Sequence, residues 1–415
     1  MAYDPLEGVD TPLSCRGLVL AGGGKPIVLC AIDWIGIGND GQTVFKEAIA
    51  AAVGTEPNRV AVHVLHQHDA PRCDFSAEEI LVAVDASGAG FNPEHARSVV
   101  ASAAAAAGEA LGRLRPVTHI GTGQAKVDRV ASNRRILGPD GKVARTRYTA
   151  TRDPELRALP AGTVDPILKL VGFYDGEEPL AVLTWFATHP QSYYRTKLAS
   201  IDFPGIARNI RESESGVPHL HFNGAGGNVG AGKWNDGSPE NRQVLADRMA
   251  TAMREAWEAV ETRPLAAGEV DWRVEPVHLP VADHLDEEAL QAILSNRVAP
   301  PTDRFRAATR LAWLRRGEAG DTIPVGCLTL GNVRVLHLPG ELFVEYQLAA
   351  QALRPDLFVA MAAYGDYAPG YIGTEVAYGR GGYETSARAS NVAPGVERVL
   401  MGAIARLLDA EVPEE

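Results

Sequence analysis

Val60-Ala61-Val62-His63-Val64-Leu65-His66-Gln67-His68-Asp69-Ala70-Pro71 is an apolar run that finishes on two histidines and is then stopped by proline. Its β-branched residues predict a strand, and Pro71 marks where strand pairing must cease. In an extended segment residues two apart face the same way, so His66 and His68 are expected to address one point. Three further runs end alike: residues 180–188 lead into His189-Pro190, residues 333–338 into Pro339-Gly340-Glu341, and residues 357–363 into a loop carrying Tyr371. Ligand sites of α/β proteins gather where strands finish and loops begin. Imidazoles, a carboxylate and a phenol delivered at such ends are therefore expected to converge on one divalent ion.

Outward from this stretch, short apolar strands alternate with helical runs, as in residues 26–32 followed by the alanine-rich segment 42–53, and this rhythm predicts an α/β fold. Residues 93–114 read as a long helix with Asn92 as its N-cap, and Gly138-Pro139-Asp140-Gly141 reads as a hairpin turn. Asp202 is expected to cap a helix at Phe203-Pro204, and a longer helix is expected over 239–260. With no internal repeat and no obvious linker, 1–415 reads as one continuous domain, a split near residue 265 being the weaker alternative. The charged helical stretch 283–316 is the candidate insertion or lid.

With 46% hydrophobic residues over 415 positions the chain can bury a large core. A net charge of −12, with arginines dispersed along the sequence, offers no broad positive field, which disfavours nucleic acid. Cys15, Cys30, Cys73 and Cys327 lie far apart in sequence without CxxC spacing, which fits reduced thiols. Met1-Ala2-Tyr3-Asp4-Pro5 lacks a basic, then apolar leader, and no long apolar run occurs, so a cytoplasmic protein without membrane insertion is expected. The expected partner is a small-molecule substrate; a homo-oligomer stays open.

Each candidate has an ordinary reading beside the chemical one. His66 and His68 serve equally as surface histidines bonded to backbone, and His63 belongs to the opposite face of the strand. His189 sits in Leu183-Thr184-Trp185-Phe186-Ala187-Thr188, where an unpartnered imidazole is costly; a carbonyl or a metal would satisfy it. Glu341 reads as the opening of a helix, stabilised there by the dipole. Tyr364, Tyr367, Tyr371, Tyr378 and Tyr383 crowd one glycine-rich loop, as ligand-binding or simply packed aromatics. Asn223-Gly224-Ala225-Gly226-Gly227-Asn228 offers flexible backbone for close approach to a ligand, yet neither it nor Ala21-Gly22-Gly23-Gly24-Lys25 has phosphate-loop spacing, which argues against nucleotides.

Taken together, these motifs resemble the neutral ceramidase family of zinc-dependent amidases, over roughly residues 15–410. The resemblance implies a mixed β-sheet core with flanking helices. It also implies a zinc ion held by His66, His189, Glu341 and Tyr371, with His68 as a substrate-contacting histidine and Tyr383, twelve positions after Tyr371, as a second active-site tyrosine. Asn133-Arg134 matches an Asn-Arg pair whose guanidinium holds a substrate oxygen. Where the family has Gly-Asp-Val-Ser-Pro-Asn, this chain reads Gly227-Asn228-Val229-Gly230-Ala231-Gly232, without that carboxylate and without that hydroxyl. The family's immunoglobulin-like C-terminal domain and secretory signal are not expected from this reading.

The expected function is zinc-dependent cleavage of an amide in a small polar molecule, with His68, Tyr383 and Arg134 catalytic. Alternatives are the same metal acting on a sugar-like substrate, for which the polar loop with Asn223, Asn228, Lys233 and Asn235 would suit hydroxyls, and a non-catalytic zinc-containing binding protein; Asn133, Asn223 and Asn228 are the candidate substrate-binding residues. Asp69 is expected either to orient a neighbouring imidazole or to shape a turn.

Overall fold

The computed structural model describes residues 5–22 and 24–411. The expected leader reading at 1–4 and the glycine at 23 lie outside them. Two layers of sheet face one another, and each is covered on its outer face by helices. One layer holds the three strands Cys15–Leu20, Ile27–Ile32 and Val60–Val64, and the four strands Val270–Val277, Ile323–Leu330, Val333–His337 and Phe358–Ala362. The other is five-stranded, in the order His219–Asn223, Glu178–Phe186, Ile167–Asp175, His119–Lys126, Glu261–Pro264. All three sheets are mixed, each carrying one parallel pair.

Period-two alternation explains why this stack forms. Leu29 and Ala31 face the inter-sheet core with Leu183, Trp185 and Phe222, whereas Val28, Cys30 and Ile32 face the helices Asp40–Val53 and Pro93–Leu111. Leu168, Leu170 and Val182 turn from the inter-sheet core toward the helices Asp202–Ser215 and Pro239–Glu258. Strands buried on both faces read as continuous apolar runs, which is how they appear in the sequence. Each fully buried Leu or Phe contributes about 1.5–3 kcal/mol by leaving water. Local signals set the helix ends: Asn92 Oδ1 accepts from the His95 amide at 3.0 Å, and Gly54 closes its helix at φ 69°.

Two expectations about helix starts are corrected. Asp202 is the first residue of its helix rather than a cap, at φ 47°, and its carboxylate accepts from the Ser192 amide and hydroxyl. Glu341 opens no helix. Glu341–Leu342 is a short strand parallel to Tyr371–Ile372, and the helix begins at Val344. Residues 283–316 form two helices, Glu287–Ser295 and Pro301–Glu318, that bury Leu290, Leu294, Phe305 and Leu311 against the main apolar cluster. The four thiols are free, but Cys15 and Cys30, distant in sequence, bring their sulfurs within 3.4 Å on adjacent strands. No helix among the described residues is long and apolar enough to cross a membrane.

The glycine loop is used differently from the expectation. A Cβ on Gly226 would lie 2.6 Å from the Thr188 carbonyl carbon, and one on Gly227 would overlap the Glu341 carbonyl oxygen. Close backbone approach here serves the protein's own strand ends. Gly227→Ala is therefore expected to lower stability by about 1–3 kcal/mol, measured as the shift of the urea midpoint at unchanged m-value.

Candidate metal centre

The parallel strands all deliver their C-terminal ends to one place. Val64 N bonds Tyr364 O at 3.0 Å, Ala363 N bonds Asn223 O at 3.0 Å, and Leu338 N bonds Ala362 O at 2.8 Å, which laces the three sheets together just before their loops begin. His66 lies two residues beyond its strand, at φ 65°, a left-handed backbone rare for a non-glycine residue. Strand alternation therefore does not aim this histidine; a turn of the chain does. Its ring nonetheless stands edge to face with His68 at 5.3 Å and with His189 at 5.3 Å.

His66, His189 and Glu341, all buried, each offer one ligand atom within 4.8 Å of the others. His189 Nε2 lies 2.9 Å and His66 Nε2 lies 3.4 Å from Glu341 Oε2. Both imidazoles are fixed by their other nitrogen, His66 Nδ1–H donating to the Ile35 carbonyl at 2.6 Å and His189 Nδ1–H to the Gly226 carbonyl at 2.6 Å. Carbonyls only accept, so both protons reside on Nδ1 and both Nε2 atoms aim lone pairs at the carboxylate. His66 Nε2 has no hydrogen-bond partner although it is buried. Two lone pairs and a carboxylate oxygen facing one another repel unless a cation stands among them, and this donor set is suited to a divalent one.

The phenol joins from the paired strand. Glu341 and Tyr371 are direct partners across the short parallel ladder, so pairing itself sets carboxylate beside phenol. The Tyr371 hydroxyl lies 3.1 Å from His189 Nε2 and accepts from Arg134 Nη1 at 3.0 Å. Arg134 is buried and is held by Glu384, 3.2 Å from its Nε, while Glu384 also pairs with Arg135 at 3.2 Å. Tyr367 donates to Glu341 Oε1 at 2.6 Å and so fixes the carboxylate. The sequence reading gave Tyr367 no role; its only signal was its place in the tyrosine crowd.

Electrostatics follow this geometry. Burial by itself would raise the Glu341 carboxyl, whereas positive charge on His66 and His189 pulls it well below the usual carboxylate range. Burial lowers His189, against the pull of Glu341, and burial together with His66 pushes His68 well down. Burial raises Tyr371 well above the usual phenol, with Arg134 opposing. Burial also lowers His63 to about 4. His63 sits outside the metal group, donating to the Ala363 carbonyl at 2.7 Å and meeting His337 at 3.0 Å.

The remaining candidates divide. Tyr383 lines a small cavity, open to solvent, together with Glu341, Tyr367 and Tyr371, and the helix Pro301–Glu318 forms one of its walls. Among the described residues His68 does not line it; its ring packs 4.8 Å from Tyr194. Asn133, Asn223 and Asn228 do not reach the cavity either. Asn133 bridges the Thr163 carbonyl and the Arg135 amide, Asn228 bridges the Val344 amide and Glu345, and Asn223 donates to the Leu65 carbonyl. These amides brace loops. Asp69 accepts from the Arg195 and Thr196 amides, so it shapes a turn and orients no imidazole.

No family model matches the sequence, and no curated protein matches it. Among solved structures, the fold superposes on neutral ceramidase from Pseudomonas aeruginosa with a TM-score of 0.67 at 18% identity, over 100% of this chain and 72% of that one. A ceramidase complexed with C2 gives a TM-score of 0.67 at 17% identity, over 100% of this chain and 73% of the other. The fold is that of neutral ceramidase. At such identity the likeness to ceramidase shows the arrangement of strands and helices, while the chemistry rests on the side chains described above.

Asp74, at the cavity wall, is pushed up to about 7 by burial, although the Ala77 amide and Asn39 bond it. A carboxyl raised in the folded state favours folding at low pH and loses that advantage as pH climbs from its ordinary 3.8 through about 7. Asp74→Asn is thus expected to gain on the unsubstituted protein between those limits and level off above them, read from urea midpoints across a pH series.

Proposed function

We propose that the protein is a metal-dependent hydrolase of ceramidase-like architecture that cleaves an amide, with zinc held by His66, His189 and Glu341 and by the Tyr371 hydroxyl. The observation that carries this reading is the convergence of two Nδ1-locked imidazoles on one buried carboxylate. Zinc in such a site supplies Lewis acidity toward a carbonyl and brings the ionisation of water to near pH 7.

The chain's own residues supply the rest. Arg134 orients the Tyr371 hydroxyl through its bond of 3.0 Å, and Tyr367 holds Glu341 Oε1, so both oxygen ligands are positioned before any ion arrives. Tyr383 lies on the cavity wall with its ring 5.7 Å from Tyr371, placed to hydrogen-bond an oxygen that develops charge as the carbonyl is attacked. His68 adjoins His66 and its buried Nδ1 has no hydrogen-bond partner, but it stands off the cavity wall and burial keeps it neutral, so it enters this reading as a neighbour of the metal group rather than as a proton carrier. A Cβ at Gly230 would lie 3.8 Å from both Arg134 and His189, so the position of the family's serine adjoins the site and has room for a side chain. The sugar-directed reading draws no support from the loop that prompted it, since Asn228, Asn235 and Lys233 are engaged within the protein.

Metal analysis of the purified protein is expected to give about one zinc per chain, with His66→Ala, His189→Ala and Glu341→Gln all losing it. Chelation should abolish amide hydrolysis and zinc should restore it; undiminished zinc in His189→Ala sinks the assignment. Tyr367→Phe, which removes only the bond to Glu341, is expected to weaken zinc binding about 10–100-fold, measured by competition with a chromogenic chelator.

A further inference from the structure

Cys15 and Cys30 lie on neighbouring antiparallel strands, Cys15–Leu20 and Ile27–Ile32. Register sets Cys15 opposite Ile32 and Gly17 opposite Cys30, so the two cysteines stand diagonally on one face of the pair. The residue directly across from Cys30 is thus a glycine and brings no side chain between them. The two sulfurs meet across the diagonal at 3.4 Å. This face is the one turned toward the helix Pro93–Leu111, which presents Ala103, Ala106, Ala107 and Ala110 to it. Their short side chains leave a cleft, open to solvent, that both thiols line.

Paired thiols can be nothing more than packing, the ordinary use of a buried cysteine. Here the two are unequal. Cys15 is exposed and Cys30 is buried, so a reagent in solution reaches one sulfur while the other touches it from behind. The hydrogen bond from Cys30 holds the Cys15 thiol below its ordinary range, against burial and Asp33, and the same contact together with burial pushes Cys30 well up. Thiolate, the reactive form, therefore gathers on the accessible sulfur. A disulfide needs its sulfurs about 2 Å apart, a closure within reach of side-chain rotation from the observed contact.

We propose that Cys15 and Cys30 form a thiol–disulfide exchange site that takes a small-molecule disulfide as oxidant and closes to an intramolecular bridge. The Cys15 thiolate attacks one sulfur of the small disulfide, whose S–S bond breaks; one thiolate leaves and a mixed disulfide remains on Cys15. Cys30 yields its proton to that thiolate and attacks Cys15 Sγ, and the second thiolate departs and takes up the proton that Cys15 had lost. Two protein thiols are oxidised and one small disulfide is reduced to two thiols. The bridge staples the edge strand Cys15–Leu20 to the strand that runs on into Ile35, whose carbonyl holds His66. This site stands independently of the hydrolase reading.

The test equilibrates the folded, unsubstituted protein with glutathione buffers of rising disulfide content, then unfolds and alkylates it to count free thiols among its 4 cysteines. Two are expected to disappear together, with peptides joined through Cys15 and Cys30, and to return in excess reduced glutathione. Cys30→Ser should stop at the mixed disulfide on Cys15, and Cys15→Ser should keep all its thiols. Cys30→Ala replaces the serine variant should that one fail to fold, and mapping of the bridge needs no variant. Thiols unchanged across the series overturn the inference. So does a mixed disulfide that persists on Cys15 in the unsubstituted protein, or a bridge that runs through Cys73 or Cys327 instead.

Discussion

Two hydrogen bonds govern the centre of this molecule, from His66 Nδ1 to the Ile35 carbonyl and from His189 Nδ1 to the Gly226 carbonyl. Each places the proton on the nitrogen remote from Glu341 and thereby aims a lone pair at it. The acceptor backbone comes from the loop after the strand Ile27–Ile32 and from the glycine loop after His219–Asn223. Were either loop displaced, the imidazole beside it would be free to turn over, and the acceptor-rich pocket that calls for a cation would be lost.

The rest of the fold reads as support for that constraint. Lacing the ends of three parallel pairs together places four loops around a point that none of them forms alone. The short ladder Glu341–Leu342 with Tyr371–Ile372 then sets carboxylate beside phenol by register, which is more exact than side-chain packing because backbone pairing repeats at fixed spacing. Around it, Glu384 balances Arg134 and Arg135 in a buried cluster whose desolvation cost is met by paired charges and by the carbonyls that Arg135 reaches. Polar groups this deep stay in one arrangement, since any other leaves a charge unpaired.

Much of the site was visible as residue types at strand ends, and this held even where the local reading was wrong. His66 was expected to point through strand alternation, but it points through a left-handed turn. Glu341 was expected on a helix, but it lies on a strand. The asparagines misled because an amide in a polar loop looks the same in sequence whether it binds a ligand or its own backbone. The cysteines concealed a contact instead. Far apart in sequence without CxxC spacing they suggested no pairing, yet the sulfurs of Cys15 and Cys30 meet at 3.4 Å.

The sequence by itself determined the α/β alternation, the apolar runs that became doubly buried strands, the cap at Asn92, and the identity of the donor atoms at strand ends. These follow from interactions among near neighbours, which depend on little else. Only the tertiary structure decided that His66, His189, Glu341 and Tyr371 share a centre, which ring nitrogens are free, that Tyr367 holds the carboxylate, and which thiols meet. Those are contacts between residues far apart in the chain, and their geometry arises from sheet stacking and strand register, which no local pattern encodes.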